Sequence, residues 1–196
     1  IGVVMGTSTS GIAATEAAVR AIANQGDYPL GYHAIQGALG GLGEFVAAYL
    51  GTKGPVSTVS TACSSSGNAI LSARRLLNLG LCDAVVVGGV DSLCELTVKG
   101  FAALEALSSA YCKPLTAGRD GINIGEAAAV FLLSREPCGA ALIGGAASSD
   151  AYHISAPQPQ GDGAYRAMQG ALHDGAITAS EVDYLNLHGT GTPLND

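Results

Sequence analysis

The run DAVVVGGVDS, residues 83–92, constrains the fold more than any other stretch of this chain. Between its two aspartates it is apolar at every position, with no alternation of polar and apolar side chains. A strand with one wet face alternates; a strand covered on both faces does not. The run therefore predicts a strand of a sheet sandwiched between helices. IGVVMG at the start and AAAVFLLSRE at 127–136 read as further buried strands, and Val56 to Thr61 in KGPVSTVST as a β-branched strand. Helical spacing separates them. It covers residues 12–25, a Gly-rich stretch over 32–50, and Ser64 to Leu79, which stops at Gly80. Residues 96–126 read as one long irregular region. AALIGGAASSDA opens a new strand, DGAYRAMQGALHDGAI is an amphipathic helix, and VDYLNLHG is a strand entering the closing loop. Apolar strands alternating with helices define an α/β chain with parallel or mixed sheets. Pro137 and Gly139 mark a joint, which divides the chain into 1–136 and 137–196.

Composition narrows the function. Hydrophobic residues make up 48% and charged residues 13%, enough for a sizeable core. The net charge of −7, with no Lys/Arg run, argues against nucleic acid as a partner. No uncharged apolar stretch reaches the ~18 residues of a membrane span, and no secretory signal is visible. Five cysteines without a CxxC pair fit reduced thiols in a cytoplasm. The four histidines are scattered, so no metal site is expected. Ile1 enters an apolar run with no Met before it, and the chain stops inside a motif-like loop; a portion of a longer protein is expected.

Cys63 stands out. In VSTACSSSGNAILSARRLL a strand ends just before it and a helix starts just after. A helix N-terminus favours a thiolate, the nucleophilic form, and its free N–H groups can hold an oxyanion. Ser64, Ser65 and Ser66 are natural cap residues. Small neighbours, Ala62 and Gly67, leave room for a substrate. Cys82, Cys94 and Cys138 read as buried apolar residues and Cys112 as incidental in a polar loop. His188, at the end of YLNLHG, is the best partner for a nucleophilic cysteine; a turn histidine bonding the backbone is the plainer alternative. Thr190 and Thr192 in HGTGTPLND, two residues apart, point the same way if that segment is extended, which suits hydrogen bonding to a linear substrate. The glycines of this loop do not follow a nucleotide-binding spacing.

Four motifs then converge in one order: TACSSS at 61–66, KPLTAGRDGINIGEAAAVFLL at 113–133, SSDAYHISAP at 148–157 and HGTGTPLND at 188–196. Together they resemble the β-ketoacyl-(acyl carrier protein) synthase family. The resemblance implies a thiolase-like five-layer αβαβα fold, present here as an incomplete portion, and a homodimer, with a chain-length-factor heterodimer as the alternative. It implies decarboxylative Claisen condensation: Cys63 carries the acyl chain, His188 assists malonyl decarboxylation, and Thr190 and Thr192 bind the phosphopantetheine arm of an acyl carrier protein. Thr9, Gly100 and Phe101 fall near the acyl pocket, and Asp120 and Glu126 in a structural polar network. No metal or redox cofactor is implied. The family's second histidine and its lysine lie beyond HGTGTPLND, so these 196 residues alone are expected not to condense substrates. The family's GEGAG is here GEAAA, with Ala127 for Gly, and Ile122 replaces an aromatic. A thiolase using coenzyme A and a non-catalytic partner subunit are the alternatives; a hydrolase is disfavoured because no GxSxG elbow is present. The presence of Cys63 argues against a chain-length factor.

Overall fold

A computed structural model describes residues 1–154 and 156–196. Ser155, inside SSDAYHISAP, lies outside the described residues. The chain forms two compact units, Ile1–Gly100 with Ile124–Pro137, and Phe101–Asn123 with Cys138–Asp196.

The first unit is built on a four-stranded sheet in the order β2-β1-β3-β4. β1 is Gly2–Gly6, β2 Val56–Val59, β3 Ala84–Asp91 and β4 Ala127–Ser134. β1 runs parallel to β2 and to β3, with Val4 beside Ser57 and Val87, while β4 runs antiparallel to β3. Successive strand residues face opposite sides. Val4, Val85 and Val87 therefore pack on one face with Ala69, Ala73 and Leu77 of α3 (Ser65–Asn78). Val3 and Met5 pack on the other face with Ala47 of α2 (Gly41–Leu50). Two covered faces account for the unbroken apolar run of β3. Gly6 lets α3 approach closely: a Cβ there would lie 2.6 Å from the Ser65 carbonyl carbon and the Ser66 nitrogen.

α1 (Ile12–Gln25) tethers the start of α4 (Glu95–Ala103). The Glu16 carboxylate accepts the N–H groups of Glu95 at 3.0 Å and Leu96 at 2.7 Å, placing negative charge at a helix N-terminus. Arg20 and Lys99 each pair with Glu95 at 2.7 Å.

Several expectations need correction. α4 lies within the stretch read as irregular; its Gly100 and β-branched Thr97 and Val98 give weak local helix signal, and the Glu16 cap supplies what propensity does not. Residues 32–50 are not one helix: a 3₁₀ turn at Ala34–Gly37 precedes α2. β4 was expected to be buried, yet Val130, Phe131 and Leu132 are 52%, 61% and 62% exposed. β4 is the sheet edge, and α3 covers β1 and β3 far more than it covers β4. Cys82 and Cys94 are buried as read, whereas Cys138 is exposed. Ala127 and Ala129, which stand at the two later glycines of the family's GEGAG, are not among the positive-φ residues and pair with Asp91 and Gly89 in β4, so neither Cβ carries backbone strain.

The second unit contains α5 (Asp162–Asp174) and a short 3₁₀ turn, Ala179–Glu181, closed by reciprocal Thr178–Glu181 hydrogen bonds. Neither the 140–151 segment nor 182–189 forms a strand among the described residues. Both are extended-type sequences, but a strand needs a hydrogen-bonding neighbour. The first instead packs on α5, where Gly145 N–H donates to Asp174 at 2.9 Å. Among the described residues no helix is long and apolar enough to cross a membrane, and no His/Cys/Asp/Glu cluster could hold a metal.

Candidate active site

The three parallel strands end at the same edge of the sheet, where α/β proteins build their sites. β1 runs into Thr7-Ser8-Thr9, β2 into Thr61-Ala62-Cys63, and β3 ends at Asp91.

Asp91 organises this edge. Its Oδ1 accepts the Thr7 hydroxyl at 3.0 Å, the Ser8 N–H at 2.6 Å, the Thr9 N–H at 2.9 Å and the Thr9 hydroxyl at 3.1 Å. Burial pulls this carboxyl upward, but those donors outweigh it and hold it below the usual carboxylate range. Thr9 is buried, and its hydroxyl also accepts the Ser92 N–H at 3.2 Å, so its polar end is turned to Asp91 and Ser92. Beside it opens a cleft of about 290 Å³ lined by Ser10, Gly11, Ile35, Gln36, Leu42 and Phe45 among others.

Cys63 is exposed on the turn before α3. The residue before it, Ala62, has φ 52°, a left-handed conformation uncommon for alanine and typical of strained functional turns. Hydroxyls hold the turn. Ser65 Oγ donates to the Ala62 carbonyl at 2.5 Å and accepts the Thr61 N–H at 2.9 Å. Ser64 Oγ donates to the Thr61 carbonyl at 2.8 Å. The serines therefore do not cap α3 through their side chains, as their sequence suggested; Ser64 stands at the N-cap position with its hydroxyl turned back on the turn. The Cys63 N–H has no hydrogen-bond acceptor among the described residues.

In the second unit, His188 is exposed and its ring makes no hydrogen bond among the described residues, against the reading of a backbone-bonded turn histidine. Thr190 and Thr192 lie together, their hydroxyls 2.9 Å apart. Gly191 between them, at φ 71°, breaks the extended path, and a turn follows in which the Asn195 and Asp196 N–H groups donate to the Thr192 carbonyl. The carboxylate of Asp196 accepts the N–H groups of Thr190 at 3.0 Å, Gly191 at 2.8 Å and Leu115 at 3.1 Å. Partial burial pulls it upward, but the Asn195 amide and those three N–H groups prevail, lowering it to about 2. Gly191, at φ 71°, could not carry a side chain, because a Cβ would overlap Cys112 Sγ. Cys112 is not incidental: its Sγ donates to the Thr190 carbonyl at 3.2 Å. Arg119 Nε donates to the Thr192 carbonyl at 3.4 Å.

Asp120 accepts the Ser108 hydroxyl at 2.6 Å and the Ser109 hydroxyl at 3.0 Å, which with the Ser109 N–H lower its carboxyl. Glu126 accepts the Leu93 N–H at 3.0 Å. Both brace backbone. Gly100 is exposed with open space where a Cβ would stand, and Phe101 is half-buried on α4. Asp91, Ser8, Cys112 and Asp196 were missed in the sequence. The one usable signal was Asp91, an acid closing a buried parallel strand.

The first unit carries an exposed cysteine on a strand–turn–helix junction, and the second an exposed histidine followed by a paired-threonine loop. In comparison with protein families, the β-ketoacyl synthase N-terminal domain matches residues 1–137 and the C-terminal domain residues 140–196. The chain belongs to the β-ketoacyl synthase family, and its fold is thiolase-like. It is 38% identical over 165 residues to 3-oxoacyl-[acyl-carrier-protein] synthase 2 of Staphylococcus aureus, covering 77% of this chain and 41% of that protein. It is 41% identical over 156 residues to the Rhizobium meliloti (strain 1021) protein of the same name, covering 71% and 37%. The chain thus spans about two fifths of the length of these curated relatives. Among solved structures, a chain of the ketosynthase ApeO in complex with its chain length factor ApeC, from Xenorhabdus doucetiae, matches all of this chain over 49% of its own length, with TM-score 0.95 and 48% identity. A type II PKS ketosynthase complex that includes its acyl-carrier protein matches with TM-score 0.86 and 28% identity over 100% of this chain and 53% of that one.

Proposed function

We propose that the whole protein performs decarboxylative Claisen condensation, joining a Cys63-bound acyl chain to malonyl on an acyl carrier protein, in fatty acid, polyene or polyketide biosynthesis. The observation that carries this reading is the exposed Cys63 on a strained turn at a helix N-terminus, with an unengaged amide beside it. Its thiolate attacks an acyl-carrier thioester, and the free N–H groups stabilise the oxyanion. His188, exposed and without a hydrogen-bond partner among the described residues, donates to the thioester oxygen of malonyl as carbon dioxide leaves. The carbanion then attacks the acyl-Cys63 carbonyl and expels the thiolate. Thr190 and Thr192 hold the phosphopantetheine arm. Thr9, Gly100 and Phe101 shape the acyl site, and the chemistry runs in the cytoplasm without a metal or redox cofactor. A structure described as a ketosynthase in complex with its chain length factor holds a chain 48% identical to this one, which supports a heterodimer over a homodimer.

Cerulenin treatment of the whole protein, read by intact mass, tests the assignment. A single adduct is expected, lost in Cys63→Ala. An adduct unchanged by that substitution would overturn the nucleophile. No adduct at all would favour a non-catalytic partner subunit, and condensation dependent on coenzyme A rather than carrier protein would favour a thiolase.

A further inference from the structure

The Ala62 carbonyl is the most heavily bonded atom of the nucleophile turn. It accepts Ser65 Oγ at 2.5 Å, Ser65 N–H at 3.0 Å and, from the β1 side, Ser8 Oγ at 3.2 Å. Ser8 is itself anchored, since its N–H donates to Asp91 at 2.6 Å. Ser65 is buried and Ser8 exposed, so the carbonyl is gripped from inside and outside the turn. A trans peptide is planar, with C=O and N–H pointing opposite ways. Pinning the Ala62 oxygen therefore also fixes the direction of the Cys63 N–H, which has no acceptor among the described residues.

We propose that Ser8 and Ser65 are positioning residues for acyl transfer: by gripping the Ala62 carbonyl they aim the Cys63 N–H at the oxygen of the reacting thioester. The proposal rests on Cys63 being the acyl acceptor. In the step concerned, the Cys63 thiolate forms a bond to the thioester carbon and the carbonyl electrons move onto oxygen. Collapse breaks the bond to the carrier sulfur, and the proton given up by the Cys63 thiol ends on the departing thiol. Only the oxyanion stage uses the amide. Alkylation of the same sulfur by iodoacetamide displaces iodide at a saturated carbon, forms no oxyanion and has no need of it.

That difference supplies the experiment. Whole protein carrying no change, Ser8→Ala, Ser8→Thr or Ser65→Ala is reacted with a short-chain acyl-pantetheine thioester and, separately, with iodoacetamide. Modification of Cys63 is timed by mass. Acylation is expected to slow about three- to tenfold in Ser8→Ala, the range set by one neutral hydrogen bond, and further in Ser65→Ala. Iodoacetamide alkylation should stay within about twofold of the parent, and Ser8→Thr, which keeps the hydroxyl, should restore acylation. Acylation at the parental rate in Ser8→Ala, or both reactions slowing together, overturns the proposal; exposed Ser8 decides it even where Ser65→Ala fails to fold. Unsubstituted protein that is alkylated at Cys63 but never acylated sinks the nucleophile reading itself, and this proposal with it.

Discussion

Cys63 and His188 stand on very different supports. The Cys63 turn is set into the edge of a sheet whose residues Val3, Val4, Met5 and Val85 are fully buried, and neutral hydroxyls and backbone amides do most of the holding. The loop after His188 follows no strand among the described residues, and its main anchor is one carboxylate, Asp196, that gathers three backbone N–H groups. A charge-assisted clamp at a half-exposed site is strong for its size, but it can be switched off by a proton, whereas the bonds that close the Cys63 turn itself, from Ser64 and Ser65 to the Thr61 and Ala62 carbonyls, involve no titrating group. The first region suits an atom that must not move, the second a segment that handles a long flexible arm.

The largest effect should come from the first region. Cys63→Ala in the whole protein is expected to lower condensation at least about 10³-fold while leaving the melting temperature near the parent's, checked by turnover and calorimetry. Next, Gly191→Ala forces a side chain into the left-handed region and onto Cys112, and should loosen residues 189–196 by about 1–3 kcal/mol, read as faster hydrogen exchange there with the sheet unaffected. Asp91→Asn exchanges a charged acceptor for a neutral one and should cost about 1–3 kcal/mol of global stability, since this node ties β1 to β3; exchange confined to residues 7–9 would show the two regions to be less different than argued. The pH response separates them further. The Asp196 carboxyl is lowered from 3.8 to about 2, so its clamp is complete above the unfolded value and is lost as pH falls through about 2. Exchange of the Gly191 and Leu115 amides, corrected for intrinsic rate, should stay slow down to about pH 4 and quicken below it. The smallest effect is a gain: Gly67→Ala, in the first turn of α3 with nothing within 4 Å of its Cβ, should add about 0.5–1 kcal/mol by chemical denaturation.

The legible parts of the molecule are those whose signal is local. β1, β3, α1, α3 and α5 follow from apolar periodicity, and the strand-to-helix junction at Cys63 is visible as a change of period. The doubly apolar runs of β1 and β3 point to a parallel or mixed sheet, whereas the pairing of β1 with the Ser/Thr-bearing β2 and the antiparallel setting of β4 come only with the fold. What escaped depends on partners distant in sequence. α4 needs Glu16, 79 residues away from Glu95, to secure its first turn. The segments at 140–151 and 182–189 have strand-like composition but find no pairing neighbour among the described residues. An apolar run such as that of β4 reports the capacity to be buried, whereas burial itself depends on what lies against it. The site divided in the same way: Cys63, His188, Thr190 and Thr192 belong to recognisable motifs, while Ser8, Cys112 and Asp196 have roles set only by folding.

Gly6 has a further consequence. With a Cβ at that position lying 2.6 Å from the backbone of Ser65 and Ser66, the only way to admit even one methyl group is to lift the start of α3 away from β1. The lift would carry Cys63 with it, and an error of about 1 Å in the placing of a reacting atom can cost on the order of a hundredfold in rate. The elevation of the sulfur above the sheet is thus gauged by a single missing carbon, some sixty residues upstream of the atom whose height it sets.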